Sequence, residues 1–566
     1  MLGMRGLPPS DPQGLPPEVA ALIARLQQQV QDQAQQLCER DQALAQRAEE
    51  LAQRDVLLQR KDREIALREA KIEKINFELA RLKRWTYGAK SEAMNAEQRR
   101  LFEESLAEDE AALRAQLDRL RREADAAATA AGNPPKPAPR KPRRQALPEH
   151  LRRVEHRHEP DSTDCQEPEC GRPMTRIGED VTERLDIVPA EFFVHRHIYG
   201  KWACRHCQVL RQASSVPEIV EGGIAASGLL AHTVISRFVD HLPYYRQETI
   251  NARSGVHTPR STLAAGSGQV GAALEPLYEL HKRFILDCRV LQADETPVAL
   301  LDPGAGKTRR AYMWAYARSW HDAVPGVIYE FCRGRGAQYP VAFLGGDDML
   351  GERRWCGTLL TDRYGAYDTV VDPQHYPGRI SAACAAHARR NFEELAHEGT
   401  SPIGVDALRR FARIYEVEGE LKGLSDDERR AQRQRLAKPL WDELRQWLGL
   451  ERRLVPDGGA TAKAIDYTLG HWAALTRHLD DGAVAIDNNH LERQIKPWAM
   501  GRKAWQFVGS ELAGQRAAIV MSLVQSARMN GHEPWAYLRD VLQRLPTLLN
   551  TQLDELLPHR WTSAQA

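Results

Sequence analysis

The sequence predicts a multidomain α/β protein, with a mixed core that carries a helical insertion and is preceded by a coiled coil, a cysteine ribbon and a short helical region. Three observations predict it. An apolar stripe recurs at every seventh residue near the start. Two cysteine pairs bracket a strand-like stretch further on. Beyond them, strand-like runs end in acidic residues, and the later part turns helical and charged.

At 566 residues the chain exceeds one hydrophobic core, so three or more domains are expected. The formal net charge of +1 conceals local basic runs, and binding to a polyanion depends on such patches rather than on the sum. The opening MLGMRGLPPSDPQG lacks an apolar signal core, and no apolar run reaches spanning length. A cytoplasmic location without membrane contact is therefore expected, where nine cysteines serve better as metal ligands or buried thiols than as disulfides.

Taken in order, residues 17–84 are expected to form a leucine-zipper-like coiled coil. Ile23, Val30, Leu37, Leu44, Leu51, Leu58, Ile65, Ile72 and Leu79 make its seam. The second seam position is mostly polar or alanine and gains apolar partners only at Leu26, Ile75 and Leu82, so the zipper is weak and expected to form a homodimer or higher oligomer. Residues 85–130 read as a charged helical segment after an aromatic-basic junction at Trp85 and Tyr87. Residues 131–149, GNPPKPAPRKPRRQALP and its flanks, read as a basic tether, either solvated or touching phosphates.

Cys165, Cys170, Cys204 and Cys207 place two short knuckles around a hairpin-like stretch, so residues 150–215 are expected to be a ribbon around a structural Zn²⁺. Four thiolates leave that ion no open position. Residues 216–284 read as helices with a turn at Ser254-Gly255-Val256, in a helix-turn-helix-like pattern whose recognition helix opens at Arg260, Ser261 and Thr262. The same pattern suits a helical linker beneath the core.

Residues 285–510 carry the core. DCRVLQAD, RAYMWAYAR, GVIYEFCR, GTLLTD and ISAACAAH read as five strands, in the order of a ribonuclease-H-like fold with a helical insertion at about 401–480. In that arrangement the first and fourth strands are neighbours, which brings Asp294 and Asp362 to adjacent strand ends. Glu492 lies on the later helix AIDNNHLERQIKP, with Asp487 as its rival for a third carboxylate. Three such carboxylates can hold a pair of divalent metals for phosphodiester displacement. Glu295 is expected to point away from them by strand alternation. Asn488 and Asn489 suit a helix cap or a DNA contact, and Cys384-x-x-His387 offers only two metal ligands. GAGKT at Gly304 to Thr308 fails as a phosphate loop, because Leu301 stands where that pattern needs glycine. Residues 511–566 read as a C-terminal helical region.

Nearly the whole chain resembles a DDE transposase of the insertion-sequence-sixty-six family. The motifs that carry the resemblance are LQADETPV, TDRYGAYD, CAAHARRNF, DNNHLERQIKPWAMGRKAWQFVGS and SLVQSARMNGHEPWAYLRDVL. It implies that Asp294, Asp362 and Glu492 are the catalytic triad, holding two Mg²⁺ or Mn²⁺ ions. It also implies transposition of an insertion sequence by hydrolysis and strand transfer, with element-end and target DNA as partners and small companion proteins of the element beside them. Arg260, Arg493, Lys496, Arg502 and Lys503 are expected to contact DNA, and Trp505 to stack on an unpaired base or to fill the core. A related nuclease that cuts without joining, or an inactive zinc-ribbon DNA-binding protein, are the other readings. The chain departs from the family pattern at Arg363 and Gly266, where glycine and an aromatic are common, and at Ala504 before Trp505.

Overall fold

The computed structural model describes residues 109–120 and 151–563 with short gaps at 161, 166–169, 171, 189–190, 205, 221, 303–306, 346–353 and 398–400, together with positions 25, 28, 29, 33, 35, 72, 75, 147 and 149. The chain divides into two compact units, Met1–Phe77 and Glu78–Ala566. In the first unit the described positions are helical, with Ile72 half-buried and Ile75 buried. The rest of the predicted zipper, and most of the basic tether, lie outside the described residues.

Among the described residues the second unit starts with the helical segment 109–120, anchored by a buried ion pair of Asp109 with Arg516 at 2.6 Å. A four-stranded sheet follows, made of β1 (Arg152–His158), β2 (Thr175–Val188), β3 (Glu191–Ala203) and β4 (Leu210–Gln212). β2 and β3 form the expected hairpin, β1 runs parallel to β3, and β4 closes the far end. Leu185, Ile187, Phe192 and Val194 bury the sheet against Leu229 and Val256, which explains their run of large apolar side chains.

Next come α1 (Ser227–Phe238), α2 (Tyr244–Arg253), α3 (Arg260–Ala273) and α4 (Glu275–Leu286). The turn between α2 and α3 falls where expected. Gly255 takes φ +75°, a left-handed conformation that glycine adopts without cost, and Asn251 donates to Thr258 Oγ1 across the turn at 2.7 Å. Most of α3 is buried, and only its first residues reach the surface. Gly266 belongs to the buried part. A Cβ there would sit 2.9 Å from Leu230 Cδ2, so Leu230 fills the space of a larger residue.

The central sheet is ordered β7-β6-β5-β8-β9, from β5 (Val290–Asp302), β6 (Lys307–Arg318), β7 (Val327–Cys332), β8 (Gly357–Thr361) and β9 (Arg379–Ala383). β5, β6 and β7 are antiparallel, whereas β8 runs parallel to β5 and β9 parallel to β8. Lys307 and Thr308, the last two residues of the failed phosphate loop, open β6. Short helices α5 (Gln338–Phe343) and α6 (Ala366–Val370) cover one face, where Leu291, Ala293, Trp314 and Tyr316 meet Phe343 and Tyr367. After β9 comes α7 (Ala385–His397).

The insertion follows as α8 (Pro402–Glu420), α9 (Asp426–Gln432), a π-helical turn Arg433–Ala437, α10 (Lys438–Arg452), α11 (Ala460–Gly470) and two single-turn helices. Phe411, Trp441, Leu444 and Ile465 give it a core shared with Phe392 of α7. Its charged sequence conceals two inward arginines. Arg433 is fully buried, paired with Glu418 at 2.7 Å, and it donates to the carbonyls of His478 and Val484 at 2.9 Å each. Arg429 donates to Gly482 O at 2.7 Å. These carbonyls belong to the segment that enters α12 (Asn489–Trp505).

α12, α13 (Glu511–Met529) and α14 (Pro534–Arg544) complete the fold. α13 lies on the sheet, against β7. Its Ser522 and Ser526 hydroxyls accept from the Tyr329 and Val327 N–H groups of edge strand β7, at 2.8 and 3.0 Å. Edge N–H groups that would otherwise invite another strand are thereby satisfied. Leu491, Ile495 and Trp498 of α12 pack with Val298, Met313 and Ala315 on this second face.

Candidate active site and zinc ribbon

Asp294 and Asp362 are set by register. Gln292 pairs with Leu360 at the last β5–β8 rung, so the two aspartates lie at matching positions two residues further along adjacent parallel strands. Asp294 shares the sheet face of Val298 and looks toward α12, which packs against β5. Glu295 faces the other way, as alternation requires, and is held by Arg335 and by Tyr367 Oη at 2.9 Å. Arg335 also approaches Asp362 at 3.9 Å and lies 3.6 Å from the Tyr364 ring centroid, a bridging role that its sequence context did not signal.

Local hydrogen bonds fix each carboxylate. Asp294 Oδ1 accepts from the Glu295 N–H, and Asp362 Oδ1 from the Tyr364 N–H, both at 2.8 Å. Tyr467 of the insertion donates to Asp362 O at 2.8 Å. The residue after Asp362 explains a departure from the family pattern. Arg363 has φ +66°, where glycine is unstrained, and its guanidinium compensates by binding Asp368 and Ser381 Oγ, the latter at 2.7 Å.

Glu492 lies in the first turn of α12, whose positive N-terminal end suits a carboxylate. Its oxygens face His387 Nδ1 at 3.8 Å and Arg390 at 3.6 Å. Asp487, the rival, has both oxygens engaged: Oδ1 by the Asn489 N–H at 3.1 Å, Oδ2 by Tyr415 Oη at 3.0 Å and the Asn489 side chain at 2.8 Å. It works as a brace at the helix entrance. Asn488 ties α12 to β5, donating to Ala293 O at 3.1 Å rather than capping with its side chain.

Asp294, Asp487 and Glu492 open into one cleft of about 910 Å³, with His387, Arg390 and Lys496 on its walls. Burial, then the charges of Glu295, Asp362 and Glu492, push the Asp294 carboxyl up to about 8. Converging carboxylates that repel one another fit a hard divalent cation, which takes oxygen ligands.

The predicted basic residues divide. Arg493 and Lys496 are exposed at the cleft, whereas Arg502 is exposed but donates to Pro297 O at 3.1 Å beside β5. Lys503 is exposed and does not line the cleft, and Arg260 is half-buried at the start of α3. Trp505 corrects its DNA-binding assignment. It is 4% exposed, packs against Phe238, His241 and Trp498, and donates to Arg237 O at 3.2 Å, so its faces are not open to a base. The alternative core role is the one it fills. An aromatic that sequence reasoning missed stands at the cleft instead: Trp320, 46% exposed, with the Arg493 guanidinium 5.6 Å from its ring centroid.

In the ribbon, Cys165, Cys170, Cys204 and Cys207 converge with all four sulfurs within 4.8 Å of one another. Cys170 and Cys204 are 3.9 Å apart, close to the sulfur–sulfur edge of about 3.8 Å that a tetrahedral zinc with 2.3 Å bonds requires. Backbone N–H groups of Cys207 and His206 lower the Cys204 thiol, in the direction that favours the thiolate a metal ligand needs. The donor set supports a structural zinc.

Four family models match this chain. One described as Transposase IS66 family covers residues 222–516, and a zinc-finger binding domain of transposase IS66 covers 164–208. An IS66 C-terminal element covers 522–559, and a model described as Transposase C of IS166 homeodomain covers 74–155. Among curated relatives from Sinorhizobium fredii, the uncharacterized protein y4jD is 37% identical over 431 residues, 74% of this chain and 82% of the relative. The uncharacterized proteins y4qI and y4hP are 35% and 32% identical, covering 74% and 70% of this chain and 76% and 73% of their own lengths. Among the described residues, no helix is long and apolar enough to cross a membrane.

Proposed function

Since the chain belongs to the IS66 transposase family, we propose that it moves an insertion sequence by cutting and rejoining DNA at the cleft that Asp294 of β5 and Glu492 of α12 line. One observation carries this reading: Asp294 on β5 and Asp362, one residue past the end of β8, occupy matching register positions, and Glu492 lines the cleft into which Asp294 opens. The strand order supports a ribonuclease-H-like core. Asp294, Asp362 and Glu492 would hold two Mg²⁺ or Mn²⁺ ions, which supply stabilisation of the attacking and leaving oxygens of a phosphodiester.

The chain's own groups do the rest. Arg390, Arg493 and Lys496 place positive charge along the cleft walls, where backbone phosphates can settle without sequence readout. Trp320 offers a ring face to a base at the cleft mouth, the role first expected of Trp505. Arg260 opens α3 beside the exposed Ser261 and Thr262, which suits contact with element-end DNA. The four-cysteine ribbon keeps β2 and β3 in shape through structural zinc.

Incubation of the full chain with labelled element-end DNA and Mn²⁺ or Mg²⁺ tests the proposal. Nicked and joined products are expected from the wild type, and none from Asp294→Asn or Glu492→Gln, with end binding retained by both. Cutting without joining would replace transposition with nuclease action, and an active Asp294→Asn protein would overturn the triad.

A further inference from the structure

We propose that Cys384, His387 and Glu492 form a second zinc site, which grips one oxygen of Glu492 and steadies the other toward the cleft. Cys384 and His387 alone offer two ligands, and the fold adds a third from a helix more than a hundred residues later. One donor atom from each lies within 4.8 Å of the other two.

Several features point to an ion rather than to a hydrogen-bonded cluster. His387 Nδ1 and Glu492 Oε1 face each other at 3.8 Å, beyond hydrogen-bond reach, and both are buried with no hydrogen-bond partner in the structure. Two buried polar atoms left that way cost folding energy unless something sits between them. Tetrahedral zinc with bonds of 2.0–2.3 Å sets its donors roughly 3.3–3.8 Å apart, so small adjustments close the site. Cys384 Sγ, fully buried, accepts the Asn488 N–H at 3.2 Å.

The donors choose the metal. A thiolate, an imidazole and one carboxylate oxygen form a borderline-soft set that favours zinc over magnesium. Cys384 immediately precedes α7, while His387 and Glu492 lie in the first turns of α7 and α12, where helix ends favour the thiolate and carboxylate charges. Three protein ligands leave a fourth position for water. With Oε1 taken this way, Oε2 remains beside Arg390.

The test is a zinc count on the full chain, produced with zinc and dialysed against metal-free buffer without chelator. Wild type is expected to hold one more zinc per chain than Cys384→Ser or His387→Gln, while Cys204→Ser loses the ribbon zinc instead. Cobalt-loaded wild type minus Cys384→Ser should show a thiolate-to-cobalt band in the difference spectrum. Circular dichroism identifies a variant that fails to fold, and His387→Gln, at the cleft wall, then carries the comparison. Equal zinc content in wild type and both variants overturns the site. The count is made without DNA, so it stands or falls separately from the strand-transfer reading.

Discussion

Replacing Asp294 with Asn removes a carboxylate that the fold holds against its neighbours, and the effect has a definite sign with pH. In the folded chain the Asp294 carboxyl is raised to about 8 by burial and by Glu295, Asp362 and Glu492. Unfolded, it titrates near 3.9. Between those values the native state binds more protons than the unfolded one, so stability falls as pH rises. Below about 4 both states are protonated and the penalty vanishes, whereas above about 8 it is complete. At about 1.4 kcal/mol per unit over about four units the ceiling is roughly 6 kcal/mol, and screening by water at the open cleft brings the expected penalty to roughly 2–3 kcal/mol. Thermal melts of wild type and Asp294→Asn, in magnesium-free buffer without chelator so that the ribbon keeps its zinc, read the difference. The two should nearly coincide at pH 4.5, and Asn should be the more stable at pH 8.5. Added Mg²⁺ should raise the wild-type melting temperature at pH 8.5 and leave Asn unmoved. A pH-independent gap between the two proteins would refute the reasoning.

Other perturbations follow from the same geometry. Trp505→Ala empties a buried site bounded by Phe238 and Trp498 and should cost roughly 3–5 kcal/mol by calorimetry, with Trp505→Phe recovering much of it. Arg363→Gly relieves a left-handed backbone but loses the Asp368 and Ser381 contacts, so its stability should stay within about 1 kcal/mol of wild type. Arg363→Val has neither compensation and should melt clearly lower than both. Arg493→Ala and Lys496→Ala should each reduce the salt slope of end-DNA binding by about 1 in a fluorescence titration, and an unchanged slope would remove that residue from the phosphate contacts.

The sequence was most legible where chemistry forces a local pattern. Two-residue alternation sent Glu295 to the face opposite Asp294, although β5 runs on past Asp294 to Asp302 instead of ending there. Cysteine spacing located the ribbon, and a glycine turn located the α2–α3 junction. Legibility failed where one residue type serves two environments. Trp505 and Trp320 are both tryptophans near basic residues, yet one closes the core and the other stands at the cleft, and only tertiary packing separates them. Arg429 and Arg433 looked like a solvated charge run, because linear sequence does not show which carbonyls a guanidinium will meet. The third partner for Cys384 and His387 was hidden for the same reason: it comes from a distant helix.

The buried Arg433 has a consequence for anyone trimming this protein to a smaller version. Helices between β9 and α12 look dispensable, a bulky detour within a compact fold. Yet the Arg433 guanidinium, neutralised by Glu418, grips the chain just ahead of Glu492. Excising the detour would release that grip and let the third carboxylate drift. A shortened version must therefore keep the Glu418–Arg433 pair, or supply another cation to the His478 and Val484 carbonyls, so the detour sets a lower limit on how far the chain can be shortened.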